Sequence, residues 1–439
     1  MFYRLTRPLT NLVERYLPDP YVFVLLLTLI VLILASTVTP FTPIDAINAW
    51  GKGLWTLLTF AMQMLLVLLS GYMLASTPIC IRALDKLAQK AKTPTVAIIL
   101  ITVISMLASW INWGFGLVVG ALFAKALAKH INVDYRVLVA SAYSGFIVWH
   151  GGLSGSVPLT IATTGHFSVA DIGVVETAHT LFAPFNIILL IAMLIIMPIL
   201  NACLLPPSEK QVMIDKHKLA DTNPDTTSPT THMTPAQKLE HNPWLGSAVG
   251  LLGCTYLAYY FFIENNGLNL NSVIGIFLFL AILLHKTPAN LLNSLQNAMP
   301  GGAGIVIQFP FYAGIMAVMV DSGLAQQISR AFVAISTADT LPFWSFMSAG
   351  LVNIFIPSGG GQWAIQAPIV LPAAEMLGAE IPRVAMAVAW GDAWTNFIQP
   401  FWALPVLAIA GLRARDIMGF CLLQLLVSGV VIAAILTWV

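Results

Sequence analysis

Residues 352–368 read VNIFIPSGGGQWAIQAP and lie between two strongly apolar runs. Backbone amides and carbonyls left unpaired in hydrocarbon cost several kcal/mol each, so non-helical chain persists at membrane depth only where protein buries it or it lines a wet cavity. A proline and three successive glycines therefore make a poor lipid-facing crossing and a good buried tip between two short helices. The same design recurs at 96–130, where two apolar arms meet at Trp110-Ile-Asn-Trp-Gly-Phe-Gly116. Arms of about 16 residues are roughly 24 Å long, enough to bring each tip to or past the bilayer centre.

Around these two pieces the 439-residue chain is 58% hydrophobic and 9% charged, with apolar runs from end to end. That is the composition of a polytopic membrane protein. Full crossings are expected at about 21–38, 54–76, 137–165, 180–205, 244–263, 272–285, 302–320, 384–411 and 416–438. The first is longer than a usual leader's apolar stretch and many spans follow it, so it reads as a retained helix. Two crossings are broken, at Trp149-His-Gly-Gly-Leu-Ser-Gly-Ser-Val-Pro158 and at Gly391-Asp-Ala-Trp-Thr-Asn-Phe-Ile-Gln-Pro400. A net charge of +1 with scattered basic residues offers no nucleic-acid surface. The four cysteines, Cys80, Cys203, Cys254 and Cys421, lack paired spacing and read as small buried hydrophobes, with no disulfide framework or metal site.

Positive charge sets the orientation, because cytoplasmic loops collect lysine and arginine. With the N-terminus inside and both irregular pieces re-entrant, seventeen of the twenty basic residues fall on the cytoplasmic side, leaving Lys52, Arg330 and Arg383 outside. Treating 96–130 as one or two crossings misplaces the cluster Lys125, Lys129 and Arg136 or everything after it. Residues 206–243 form the one long polar stretch, rich in Thr, Pro and Asp, and read as a solvated cytoplasmic linker.

The linker separates two related halves, 1–205 and 264–439. Gln63 matches Gln308, Asn112 matches Asn353, Gly116 matches Gly361 and Pro158 matches Pro405, at offsets of 245, 241, 245 and 247 residues. The crossing at 244–263 has no counterpart and inverts the second half. The expected fold is thus an all-α polytopic membrane protein with an inverted-topology repeat, two re-entrant hairpins and two broken transmembrane helices. Such repeats are a hallmark of secondary transporters, with substrate at the midplane between them.

Glycine at a tip lets main-chain N–H groups approach a ligand, and the helix that follows presents the positive end of its dipole. Gly114 and Gly116 in the first tip, and Gly359, Gly360 and Gly361 in the second, are the candidates. No Arg or Lys lies well inside a crossing, so a carboxylate has to be held this way, helped by Ser358, Asn353, Gln362 and Asn112. Asp392 is the one acid deep in a crossing, and intramembrane acids commonly mark ion or proton pathways. It is the candidate for coupling to H⁺ or Na⁺, and no other cofactor is expected.

Plainer roles compete with these. Polar residues in membrane helices more often only hydrogen-bond a neighbour, for about 0.6 kcal/mol on average; Gln63 and Gln308 stay ambiguous on that ground. Asp392 has a structural pairing as its alternative, and His150 reads as a satisfied helix-end residue. Trp110, Trp113, Trp363, Trp390, Trp394 and Trp402 cluster near the breaks, where anchoring or core packing is commoner than lining a site.

Six separated segments carry a resemblance to a known family: YLPDPYVFVLLLTL, INWGFGLVVGALFAKALA, GGLSGSVPL, QFPFYAGI, IPSGGGQWAIQAP with VLPAAEMLGA, and QPFWALPVLAIAGLRARDIMG. Together they resemble the AtoE-type short-chain fatty acid uptake transporters, over essentially the whole chain, and place it near the wider ion transporter superfamily. The resemblance implies uptake of short-chain monocarboxylates such as acetoacetate or butyrate across a bacterial inner membrane by a homodimer whose hairpin-bearing domain moves. It also implies substrate contacts from Asn112, Asn353 and Ser358 at the tips and from Ser154, Ser156, Asn396 and Gln399 in the broken segments, with sodium near Asn112 and Asn353. Neither tip carries the superfamily's Ser-Asn-Thr triplet: Ser109 stands three residues before Asn112, and Ser358 five after Asn353. Proton and sodium coupling both stay open.

Two other functions need weighing. A passive carboxylate channel suits two discontinuous inverted tips less well than alternating access does. An intramembrane serine hydrolase is suggested by Gly152-Leu-Ser154-Gly155, but such a serine needs a base within hydrogen-bond reach, and the later histidines lie in polar loops or at helix ends.

Overall fold

Six helices begin on a Thr-Pro or Asn-Pro pair. Thr42, Thr77, Thr93, Thr234, Asn242 and Thr287 each accept a hydrogen bond from a backbone amide of the first turn, and proline fills the first helical position. The side-chain oxygen satisfies an orphan amide, and proline has none to leave unsatisfied. The structure, a computed structural model, describes residues 20–207, 211–214, 233–354 and 356–438. Arg4, Arg7, Arg15, Lys210, Lys216, Lys218 and most of the 206–243 linker lie outside them.

In chain order the helices that position the site are α1 (Pro20–Val38), α2 (Pro43–Gly53), α3 (Leu58–Ala75), α4 (Pro78–Ala88), α5 (Pro94–Ile111), α6 (Trp113–His130), α7 (Tyr135–Ser144), α8 (Ser156–Ile161), α9 (Pro184–Cys203), α10 (Pro243–Phe262), α11 (Leu270–His285), α12 (Pro288–Asp321), α13 (Leu324–Ile335), α14 (Leu341–Asn353), α15 (Gly359–Leu377), α16 (Ile381–Thr395), α17 (Pro400–Ala410) and α18 (Ala414–Trp438). Among the described residues there is no strand, and eight segments are long and apolar enough to cross a membrane; they include α5, expected as a hairpin arm, and leave out the expected crossings at 272–285 and 384–411, whose helices are shorter.

The first hairpin is α5 and α6, with Asn112 as the single residue between them in extended conformation (φ −154°, ψ 129°). Its two ends come back together: His130 at the end of α6 lies 2.9 Å from Asp85 of α4, just before α5 begins. The second hairpin is α14 and α15, and Leu341 at its start packs in one apolar cluster with Ala374 near its end. Both broken crossings are present. A 3₁₀ turn, Gly145–Gly151, and an irregular stretch separate α7 from α8, and a 3₁₀ turn, Asn396–Ile398, separates α16 from α17.

Other features depart from expectation. The crossing expected at 302–320 belongs to a 34-residue helix, α12, that runs through Pro300 and Pro310; packing against α3 and α2 along its length carries it past both prolines. Helices α2, α4 and α13 were not anticipated, because short amphipathic segments lack the apolar run that marks a crossing. Of the cysteines only Cys421 is buried; Cys203 is exposed and Cys80 and Cys254 are half-buried. The start of the linker is docked: Val212 donates to Asp134 Oδ2 at 2.9 Å and accepts from the Tyr135 amide at 3.0 Å.

Candidate functional site

Each hairpin tip is fastened to the broken crossing of its own half. At the first tip the Trp113 amide donates to Ser154 Oγ at 2.9 Å, and the Leu153 amide donates to the Trp110 carbonyl at 2.6 Å. At the second, Asn353 Nδ2 lies 2.7 Å from the Asp392 carbonyl, 3.0 Å from Thr395 Oγ1 and 2.8 Å from Asn396 Oδ1. Gln399 Nε2 donates to the Asn353 carbonyl. The fastening is similarly spaced in sequence: 41 residues separate Trp113 from Ser154, and 39, 42 and 43 separate Asn353 from Asp392, Thr395 and Asn396.

The two breaks meet at a buried pair. His150 Nε2 lies 2.9 Å from Asp392 Oδ1, and both side chains are fully enclosed. Asn186 of α9 braces this junction, donating to the Gly151 carbonyl at 3.1 Å and accepting from Trp390 Nε1 at 2.9 Å. Sequence reasoning set His150 aside and missed Asn186. The signal for His150 was present, since it stands 242 residues from Asp392, within the offsets that relate the halves.

The tips differ in what surrounds their glycines. A Cβ on Gly114 would meet the Leu68 carbonyl oxygen at 2.9 Å, and one on Gly116 would collide with the backbone of Ser109. Main chain closes over the first tip. On the second, a Cβ at Gly359 would strike the His150 ring and lie 3.0 Å from Trp149 Cη2; at Gly360 it would lie 2.6 Å from Phe60 Cζ; at Gly361, 2.5 Å from Tyr312 Cδ2. There the neighbours are side chains, and side chains can rotate.

Polar satisfaction differs between the tips in number, since at the first tip Trp113 Nε1 also lacks a partner, whereas the second has several such atoms. Asn112 is used up: its Oδ1 accepts from the Phe115 amide at 2.9 Å and its Nδ2 approaches the Val67 carbonyl at 3.5 Å. Ser154 is occupied by Trp113, and Ser156 is buried at the start of α8. Near the second tip, Asn353 Oδ1, Gln362 Oε1, Asp392 Oδ2 and Gln399 Oε1 are buried acceptors without a partner, while Asn396 Nδ2, Trp149 Nε1, Trp363 Nε1 and His150 Nδ1 are further buried ring or amide nitrogens without one. Buried polar atoms are nearly always paired, and those that are not call for an explanation such as a ligand or an ion. Ser358 caps α15 by accepting from the Gly361 amide at 3.3 Å. The amides of Gly359 and Gly360 stand at the helix start, out of reach of any carbonyl within the helix.

Gln63 and Gln308 serve local packing, Gln63 donating to Asn271 at 2.7 Å and Gln308 accepting from the Tyr312 hydroxyl at 2.9 Å. Of the tryptophans, Trp394 donates to the Leu425 carbonyl at 2.7 Å and Trp113 packs edge-on against Trp402 with centroids 5.1 Å apart, which is core packing.

Helices broken at buried polar junctions, beside hairpins of bare glycine, define a membrane transporter. The chain belongs to the short chain fatty acid transporter family, whose model matches residues 1–439. It is 43% identical over 438 residues to an Escherichia coli (strain K12) protein named "Putative short-chain fatty acid transporter", with all of both chains covered. A Haemophilus influenzae relative of the same name is 42% identical over 437 residues, covering 97% of each chain. Among solved structures the chain resembles the Alcanivorax borkumensis YdaH transporter, with a TM-score of 0.57 at 16% identity over 95% of this chain and 98% of that one. It also resembles Neisseria gonorrhoeae MtrF, described within a class of antimetabolite efflux pumps, with a TM-score of 0.50 at 16% identity over 98% and 97%. These two show the fold. Transporter membership answers the hydrolase alternative, and Ser154 Oγ serves as an acceptor for the Trp113 amide.

Proposed function

We propose that the chain is a secondary active carrier for short-chain monocarboxylates such as butyrate and acetoacetate, coupled to H⁺ or Na⁺, and that the second hairpin tip holds the carboxylate. The unpartnered buried polar atoms around Asn353, Gln362, Asp392, Asn396 and Gln399 carry this reading. The free amides at Gly359 and Gly360, with the nearby nitrogens, suit an anion without a buried arginine, because oriented dipoles at a helix start favour negative charge. The leftover oxygens suit a cation. The first tip, with Asn112, Gly114, Gly116, Ser154 and Ser156, acts as the rigid counterpart.

Asp392, with His150 as its partner, is the coupling site. A carboxylate substrate entering beside an unprotonated Asp392 meets like charge in a poorly screened interior, so substrate and cation bind together. The inverted repeat is part of the same reading, with halves 1–205 and 264–439 joined by the 206–243 linker and the 244–263 crossing. It is supported by the similar tip-to-break spacing and by the contact between His150 and Asp392: matching positions of two related units touch each other on the axis that relates them. The family resemblance supports a bacterial inner membrane and a homodimer, and the distribution of lysine and arginine supports an N-terminus in the cytoplasm.

The test is uptake of labelled butyrate and acetoacetate into liposomes holding the purified protein, with pH and Na⁺ gradients imposed separately and protein-free vesicles subtracted. Saturable uptake that exchanges with internal substrate supports a carrier. Flux that neither saturates nor exchanges refutes it in favour of a pore.

A further inference from the structure

We infer that Phe60 of α3 sets the longest acid the carrier accepts; the inference rests on the carboxylate lying at the second tip. The glycine run is faced by rings from elsewhere in the fold. Phe60 lies over Gly360, Tyr312 lies over Gly361, and Met64, one turn along α3, stands 3.4 Å from the Cβ position of Gly360. Phe60 is bounded by Phe309 and by Phe167, each with ring centroids 5.8 Å away, and Phe309 packs on Tyr312 at 5.8 Å. The four rings and the thioether make one apolar cluster over the Cβ sides of Gly360 and Gly361, next to the amides that would take the carboxylate.

The geometry fixes which part of a substrate each wall meets. A carboxylate on the Gly359 and Gly360 amides has its tail starting at the Phe60 ring edge, because that edge is what closes over Gly360. The Tyr312 hydroxyl spends its one proton on Gln308 Oε1 at 2.9 Å, so the cluster presents no spare donor on that side. An aliphatic tail is accommodated when the Phe60 ring swings aside, and its length is limited by how far the ring can retreat before Phe167 and Phe309 stop it. A second carboxylate in the cluster would be buried without a donor, which disfavours dicarboxylates of the same length. The first tip offers no such space, since backbone closes over Gly114 and Gly116.

Each methylene buried in such a site is worth about fourfold in affinity. The experiment reads inhibition of labelled butyrate exchange by unlabelled straight-chain acids of two to eight carbons, in liposomes holding wild-type, Phe60→Ala or Phe60→Trp protein. Phe60→Ala is expected to raise the affinity for hexanoate relative to butyrate by about sixteenfold, two methylenes at the rate above. Phe60→Trp is expected to move the preference toward acetate. Phe60→Leu and Met64→Ala read the same shift, at smaller size, if the alanine protein does not fold. An unchanged rank order of acids in the variants that fold overturns the role of Phe60 while leaving the carrier intact. Absence of exchange with any acid in the wild type overturns the carrier reading instead.

Discussion

Replacing Asn353 by leucine removes the clamp that holds the second tip to its broken crossing while keeping the side-chain volume close to native. The Asn353 amide nitrogen faces three acceptors at 2.7, 3.0 and 2.8 Å. It has two hydrogens, so two of those bonds form at once. Hydrogen bonds between membrane helices average about 0.6 kcal/mol and reach about 1.7, which puts the loss at about 1–3 kcal/mol, a factor of about 5–150 in the tip's undocking equilibrium. Local opening is what backbone hydrogen exchange reports. In lipid-embedded protein, exchange over 350–362 should rise by that factor while exchange over 108–118 stays at wild-type rates. Unchanged protection at 350–362, or an equal rise at both tips, refutes the clamp. Asn112→Leu makes the contrast, because its well-formed bond is the cap within its own hairpin, to Phe115; it should loosen the start of α6, a capping effect of about 1 kcal/mol.

Asp392→Asn keeps the size of the side chain and removes its charge, so gradient-driven accumulation should fall from about tenfold per pH unit, the equilibrium value for one coupled proton, to unity while exchange continues; wild-type accumulation would remove Asp392 from coupling. His150→Gln should behave the same way, and the double variant should be no worse than either single one, since the pair acts as a unit. Gly114→Ala should lower thermal stability, because its Cβ meets the Leu68 carbonyl oxygen at 2.9 Å, whereas Gly361→Ala meets a ring that can turn and should weaken butyrate binding more than it lowers stability. Asp85 is held below the ordinary carboxylate range, chiefly by its hydrogen bond to His130. A lowered carboxylate contributes stability above its unfolded value of about 3.9 and loses it as pH falls through its own lower value. His130→Ala should therefore speed exchange at the mouth of the first hairpin at neutral pH, and the difference from wild type should shrink as pH falls below the unfolded value of about 3.9.

The two hairpins and the two breaks were legible in the sequence because glycine, proline and asparagine inside an apolar run have few physical uses. Asn112 shows how well that works, as the single non-helical residue between α5 and α6. The start points of α2, α4 and α12 were equally written, in Thr42-Pro43, Thr77-Pro78 and Thr287-Pro288, but a search for long apolar runs passes over capping pairs. The difference between the tips was not legible. Asn112 and Asn353 occupy matching places, and only the packing of α3, α12 and the first break decides which glycines face main chain and which face rings. His150 falls between these cases. A lone histidine in a helix break is usually structural, yet His150 stands 242 residues from Asp392, within one residue of the offset between Asn112 and Asn353.

The seam where His150 touches Asp392 also bears on direction. In the inverted repeat proposed above, a group standing on the line about which the two opposed halves exchange looks outward and inward onto equivalent surroundings. If it is the coupling element, it imposes no preferred sense of travel, and whether the cell gains or loses acid is decided by the two reservoirs alone.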